Sequence, residues 1–181
     1  MTPAEYIQLK AFARIDGAYV GVAWIISFAL YIYGLSSPLL GMCGVMIALF
    51  SPFVAALRLR RFRDIARDGI ISFRRSMAYY IYIFFYASLL FALAQYIYFA
   101  YIDGGYLVRS YAALMESPET MAMMKDYGLT EKQMTDNIAM LGEVNPIYIV
   151  LNILTMNIAV GIVMSIPVAA MMKRTAHISN Q

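Results

Sequence analysis

Four polar side chains interrupt two otherwise apolar runs of this chain: Gln95 in one, and Asn152, Thr155 and Asn157 in the other. Amides and hydroxyls surrounded by hydrocarbon need partners, because nothing else there can satisfy them. Either they line a hydrated site for a polar solute or ion, or they hydrogen-bond from helix to helix. The second arrangement is worth about 0.6–2 kcal/mol per bond. No ionisable residue lies deep in any apolar run, and proton relays and ion-coupled carriers use one. The sequence therefore favours hydrogen bonds between helices.

A second group is basic. Arg58, Arg60, Arg61 and Arg63 open an arginine-rich segment and could hold a phosphorylated lipid headgroup, each worth about 1 kcal/mol near an anionic surface. Their function as orientation signals already accounts for them. The other chemistry-bearing residues are sparse. Cys43 is the single cysteine and behaves as a small apolar side chain. His177 is the single histidine and has no partner set around it. Met115, Met121, Met123, Met124, Met134 and Met140 offer soft thioethers that could hold Cu(I). No His or Cys supports them, so packing is the better reading. There is no His/Cys/acid constellation, no glycine-rich phosphate loop and no nucleophile–base pair. The chain is expected to be non-enzymatic, with no cofactor, no metal and no nucleic-acid partner.

The elements that must carry these residues are membrane spans. Hydrophobic residues make up 62% of the 181 and charged ones 14%, against about 25% charged in soluble domains. Residues 17–57, 76–102 and 144–172 contain no Asp, Glu, Lys, Arg or His. A hydrocarbon core of about 30 Å takes about 20 helical residues to cross. The first stretch is long enough for two crossings and is broken by Gly34-Leu35-Ser36-Ser37-Pro38. Four spans follow, over about 17–34, 38–57, 74–102 and 145–172. The fold class is all-α: a polytopic membrane protein, a single membrane domain with a small helical extracytoplasmic cap over 103–143.

Flanking segments refine this. Residues 3–15 read as a short amphipathic helix ahead of span one. The start, Met1-Thr2-Pro3-Ala4-Glu5-Tyr6, has no basic region, so a cleavable signal peptide is not expected. Span two continues past Arg58 to Gly69, and Ser72 caps span three. Residues 106–116 either prolong span three or form a separate helix. Ser117-Pro118-Glu119 starts a helix expected to run to Tyr127 and stop at Gly128. Thr130-Glu131-Lys132-Gln133 is a capping box for another, lasting to about Leu141. Gly17 and Gly21 mark a close-packing face in span one, and Asn157, Gly161 and Ser165 mark one in span four. Their partner helix could be in this chain or another. Pro52 and Pro167 should kink or locally end spans two and four.

Charge sets the orientation. Residues 58–75 hold seven arginines against two aspartates, a net of +5, and the tail adds Lys173 and Arg174. Residues 103–143 carry three basic and seven acidic side chains, a net of −4. Basic loops stay cytoplasmic, which places both chain ends inside and 103–143 outside. All five extramembrane segments agree.

The chain resembles the domain of unknown function 4199 family, small four-span bacterial membrane proteins typical of Bacteroidetes. The likeness rests on Asp68-Gly69-Ile70-Ile71-Ser72-Phe73, on Tyr98-Phe99-Ala100-Tyr101-Ile102-Asp103 and on Tyr127-Gly128-Leu129-Thr130-Glu131-Lys132-Gln133-Met134. The family pattern has a second glycine where this chain has Ile70. The resemblance implies an inner-membrane location, no assigned activity, and an accessory role near polyprenyl-phosphate glycosyltransferases of the cell envelope. The expectation is an accessory or scaffold subunit in contact with membrane lipids, packing with itself or with a membrane partner. The alternatives are a small transporter or channel using Gln95, Asn152, Thr155 and Asn157, and a lipid-headgroup-binding protein using Arg58, Arg60, Arg61 and Arg63.

Overall fold

The computed structural model describes residues 2–126, 128 and 130–174. Among these are seven α-helices: α1 Pro3–Gly34, α2 Pro38–Ala66, α3 Phe73–Ile97, α4 Tyr106–Met115, α5 Pro118–Asp126, α6 Glu131–Glu143 and α7 Pro146–Met172. A π-helical turn, Tyr98–Ile102, extends α3. Four helices are long and apolar enough to cross a membrane: α1, α2, α3 with its π turn, and α7. His177, and the expected helix end at Tyr127, lie outside the described residues.

The first element differs from expectation. Instead of a short helix followed by a span, residues 3–34 form one helix of 32 residues. At 1.5 Å per residue it is about 48 Å long, well beyond a hydrocarbon core. A capping box starts it: Thr2 Oγ1 accepts the Glu5 N–H at 3.3 Å and Glu5 Oε2 accepts the Thr2 N–H at 2.9 Å. Continuity follows from the face it buries. Leu9 and Ala13 lie under the same helical stripe as Val20 and Trp24, and all four are buried.

The chain divides into two compact units, Met1–Ala94 with Asn152–Gln181, and Gln95–Leu151. In the first, α3 is the central helix, with Tyr79, Tyr80, Ile83, Phe84 and Ala87 buried. α1 meets it through its glycines. A Cβ on Gly17 would lie 2.7 Å from Tyr86 Cβ and 2.8 Å from the Ile83 carbonyl oxygen, and one on Gly21 would lie 3.1 Å from the Ala87 carbonyl oxygen. α7 meets α3 through Gly161, whose added Cβ would fall 2.5 Å from Phe84 Cβ. Ser165, fully buried, turns its hydroxyl back to the Ile162 carbonyl at 2.6 Å. The small-residue faces of α1 and α7 are therefore used within one chain.

α2 pairs with α1 across the turn, where Gly34 and Gly41 touch backbone to backbone and Ser27 Oγ donates to the Gly44 carbonyl at 2.7 Å. Pro52 and Pro167 sit inside α2 and α7, and neither ends its helix. Pro52 has no N–H for the Ala48 carbonyl, and Ser51 Oγ donates there instead at 2.7 Å. Tyr80 OH donates to the Pro52 carbonyl at 3.1 Å. Beyond α2, Gly69 adopts φ +78° and its N–H bonds the Arg63 carbonyl at 3.0 Å, closing the helix as a left-handed cap. Ile71 and Arg174 exchange two backbone hydrogen bonds of 3.1 and 3.0 Å, clasping the end of α7 to the loop before α3.

In the second unit α4 is a separate helix that packs against α5 and α6. Gly104 and Gly105 turn the chain at φ +51° and +77°, and the Asp103 carboxylate accepts the Gly105 and Leu107 N–H groups. The expected capping box at Thr130 and Gln133 is formed.

Candidate functional site

Three charged contacts stack along one end of the first unit. The deepest joins three helices. Asp16 of α1 is 5% exposed, and its Oδ1 accepts Arg58 Nε of α2 at 2.7 Å as well as Arg58 Nη2. Its Oδ2 accepts Tyr79 OH of α3 at 2.5 Å. The Tyr19 ring covers the Arg58 guanidinium at 4.6 Å, and Phe62 stacks on Tyr79 at 4.2 Å. Both carboxylate oxygens are committed, so the group locks helices and offers no free base.

Nearer the helix ends, Arg63 is buried and its Nε donates to Asp64 Oδ1 at 2.7 Å. That bond holds the Asp64 carboxyl below its ordinary range, against the opposing effect of burial. Arg63 Nη1 also donates to the Met172 carbonyl at 3.2 Å, a cation satisfying the last turn of α7.

Outermost, Glu5 of α1 is shared. Its Oε1 accepts Arg67 Nη2 at 3.0 Å and its Oε2 accepts Arg75 Nη2 at 2.7 Å. The Thr2 backbone N–H is the largest influence lowering Glu5, opposed by desolvation and assisted by Arg75 and Arg67; its pKa falls to about 2. The Nε atoms of Arg67 and Arg75 are buried and have no partner among the described residues. A buried donor without an acceptor costs about 1–3 kcal/mol.

A separate feature lies at mid-span in the same unit. A cavity of about 520 Å³ is lined by Trp24, Ser27, Ser51, Phe84, Phe91 and Asn157, among others. That size is ordinary for a small-molecule pocket, and the walls are mostly apolar. Most of its polar groups are already satisfied. Trp24 Nε1 donates to Ser51 Oγ at 2.7 Å, and Ser27 Oγ donates to Gly44. The second unit has its own cavity of about 460 Å³, lined by Phe99, Asp103, Tyr111 and Pro146 among others. Among the described residues no group of three His, Cys, Asp or Glu could hold a metal ion.

A family model described as Protein of unknown function (DUF4199) matches residues 16–174. The chain belongs to this family. No curated protein and no solved structure matches it. The DUF4199 match opens on Asp16, the buried carboxylate, and closes on Arg174, the residue clasped to Ile71. It leaves Glu5 outside and includes both arginines that Glu5 holds.

The DUF4199 structure separates the residues singled out in the sequence. Of the four intramembrane polar candidates, Asn157 lines the mid-span cavity. Gln95, in the second unit, is 2% exposed and its Oε1 has no partner. Asn152 and Thr155 lie on the exposed side of α7. Of the arginines, Arg58 and Arg63 turn inward as described. Arg60 is exposed, 3.8 Å from Asp64 one turn on, and Arg61 is exposed with no partner among the described residues. Asp16 escaped the sequence reading, and its carboxylate joins three helices. A signal for it exists: Asp16 immediately precedes, and Arg58 immediately follows, the charge-free run 17–57. A hairpin of two spans brings the two ends of that run together.

Proposed function

We propose that this integral membrane protein is a non-enzymatic accessory or scaffold subunit of a bacterial inner membrane, packing through α7 against itself or a second membrane protein. One observation carries the reading. Asn152 presents an exposed amide with no partner among the described residues, on a helix that, like α2, is far less buried than α1 and α3. Hydrocarbon satisfies neither the donors nor the acceptor of a primary amide, and a neighbouring helix does. The ion-paired helix ends support the same view, since they fix the bundle and commit both oxygens of Asp16 to neighbouring helices. The mid-span cavity favours it over transport of a polar solute, because its walls are apolar and most of their polar groups are engaged. The arginine-rich 58–75 segment supports cytoplasmic placement of both ends, with α4 to α6 outside.

The test is site-directed cross-linking in native membranes, in a Cys43→Ser background carrying Asn152→Cys. A defined adduct, and loss of the co-purifying species in Asn152→Leu, are expected. Repeated recovery of monomer alone, with no adduct, would overturn the proposal.

A further inference from the structure

We propose that Arg67 and Arg75, held together by Glu5, form a binding site for a phosphate group at the arginine-rich end of the bundle. Two guanidinium groups share one carboxylate, each through a single Nη2 bond, which leaves a net charge of +1. The carboxylate already accepts three bonds, since its Oε2 also takes the Thr2 N–H at 2.9 Å, and none of them comes from an Nε–H. The Nε–H of each guanidinium is then buried with no acceptor among the described residues.

The same end of the protein supplies the control. Arg58 and Arg63 each place Nε 2.7 Å from a carboxylate oxygen. Full use of Nε is thus what these helices achieve when the intended acceptor is in the chain. At Arg67 and Arg75 no such acceptor lies among the described residues. An anion with several oxygens, able to reach two forks at once, completes the set, and phosphate is the group that arginine recognises in this way. An anion can approach the cluster, since the Arg67 and Arg75 side chains are 26% and 14% exposed, although both Nε atoms themselves are buried. The phosphate could be part of a lipid headgroup or a soluble ion. This site is distinct from the one the sequence suggested at Arg58, Arg60, Arg61 and Arg63, two members of which are satisfied internally.

The full chain in an uncharged detergent is titrated separately with inorganic phosphate and with phosphatidylglycerol in mixed micelles, phosphatidylcholine serving as the uncharged control. Binding is followed by calorimetry and by the shift in unfolding temperature. Saturable binding of inorganic phosphate identifies a soluble source; binding of phosphatidylglycerol without inorganic phosphate identifies a headgroup. In either case Arg67→Lys and Arg75→Lys, which keep the charge and remove Nε, should weaken affinity about tenfold each. Glu5→Gln should strengthen it while lowering stability, a combination that a purely structural role for this cluster does not give. Arg61→Gln, an exposed and unpaired arginine, should leave it unchanged. Failure of both probes to bind, or equal weakening by Arg61→Gln, would overturn the site.

Discussion

Asp16 and Arg58, 42 positions apart, meet with Arg58 Nε 2.7 Å from Asp16 Oδ1, and the carboxylate is 7% exposed. A buried pair of this kind is a weak source of net stability but a costly thing to break. Arg58→Ala leaves a carboxylate enclosed with only Tyr79 to serve it. It should destabilise the bundle by about 3–5 kcal/mol. Replacing both partners, as in Asp16→Leu with Arg58→Met, should recover most of that loss. Denaturant titration of the purified chain in detergent measures both, and an equal loss in the double variant would contradict the account.

Steric closeness at Gly17 and Gly161 gives a second expectation. At Gly17 the first obstacles to a Cβ include the Ile83 carbonyl at 2.8 Å, and backbone cannot swing aside. At Gly161 the obstacle is Phe84, which is 2% exposed and equally confined. Overpacking of this sort costs about 1–3 kcal/mol. Gly17→Ala and Gly161→Ala should each lower the unfolding midpoint, and Gly21→Ala, with 3.1 Å to its nearest atoms, should do so less.

Trp24 is the single tryptophan, so its emission reports one place. Its Nε1–H donates to Ser51 Oγ, which donates in turn to the carbonyl that Pro52 leaves unbonded. Ser51→Ala removes both bonds at once. A loss of about 1–2 kcal/mol and a changed Trp24 emission maximum are expected. Ser51→Thr, which keeps the hydroxyl, should preserve both readings.

Much of the fold was legible in the sequence because its signals are local. The charge-free runs gave the spans, and Thr130 with Gln133 and Gly69 gave helix ends through short-range hydrogen bonds. The same local rule extends to Thr2-Pro3-Ala4-Glu5, a capping box that marks α1 as starting there. The candidate site was far less legible. Arg58 reads as one of seven basic residues beside a span; its place at the edge of the charge-free run puts it level with Asp16 but does not say that it turns inward while Arg61 is exposed. What separates them is which side of α2 faces α1 and α3, a property of packing between segments tens of residues apart. Arg63 is harder still, since one of its acceptors is the carbonyl of Met172, 109 positions away, and carries no side-chain signature.

Acid sensitivity at Glu5 follows from its lowered pKa, and its sign can be worked out. Glu5 lies ahead of the charge-free stretch that begins at Gly17, and its side chain is 28% exposed. Its ordinary value of 4.5 falls to about 2 in the folded protein, first through the Thr2 N–H and then through Arg75 and Arg67. A depressed carboxylate binds its proton more weakly when folded than when unfolded. Its contribution to stability is therefore complete above pH 4.5 and is lost as the pH falls from there towards about 2. Glu5→Gln has no such proton to gain. Its unfolding midpoint should start lower at neutral pH and change less across that window than the parent's. Parallel curves for the two proteins between pH 4.5 and about 2 would show that the capping box and the two arginines do not hold Glu5 as charge.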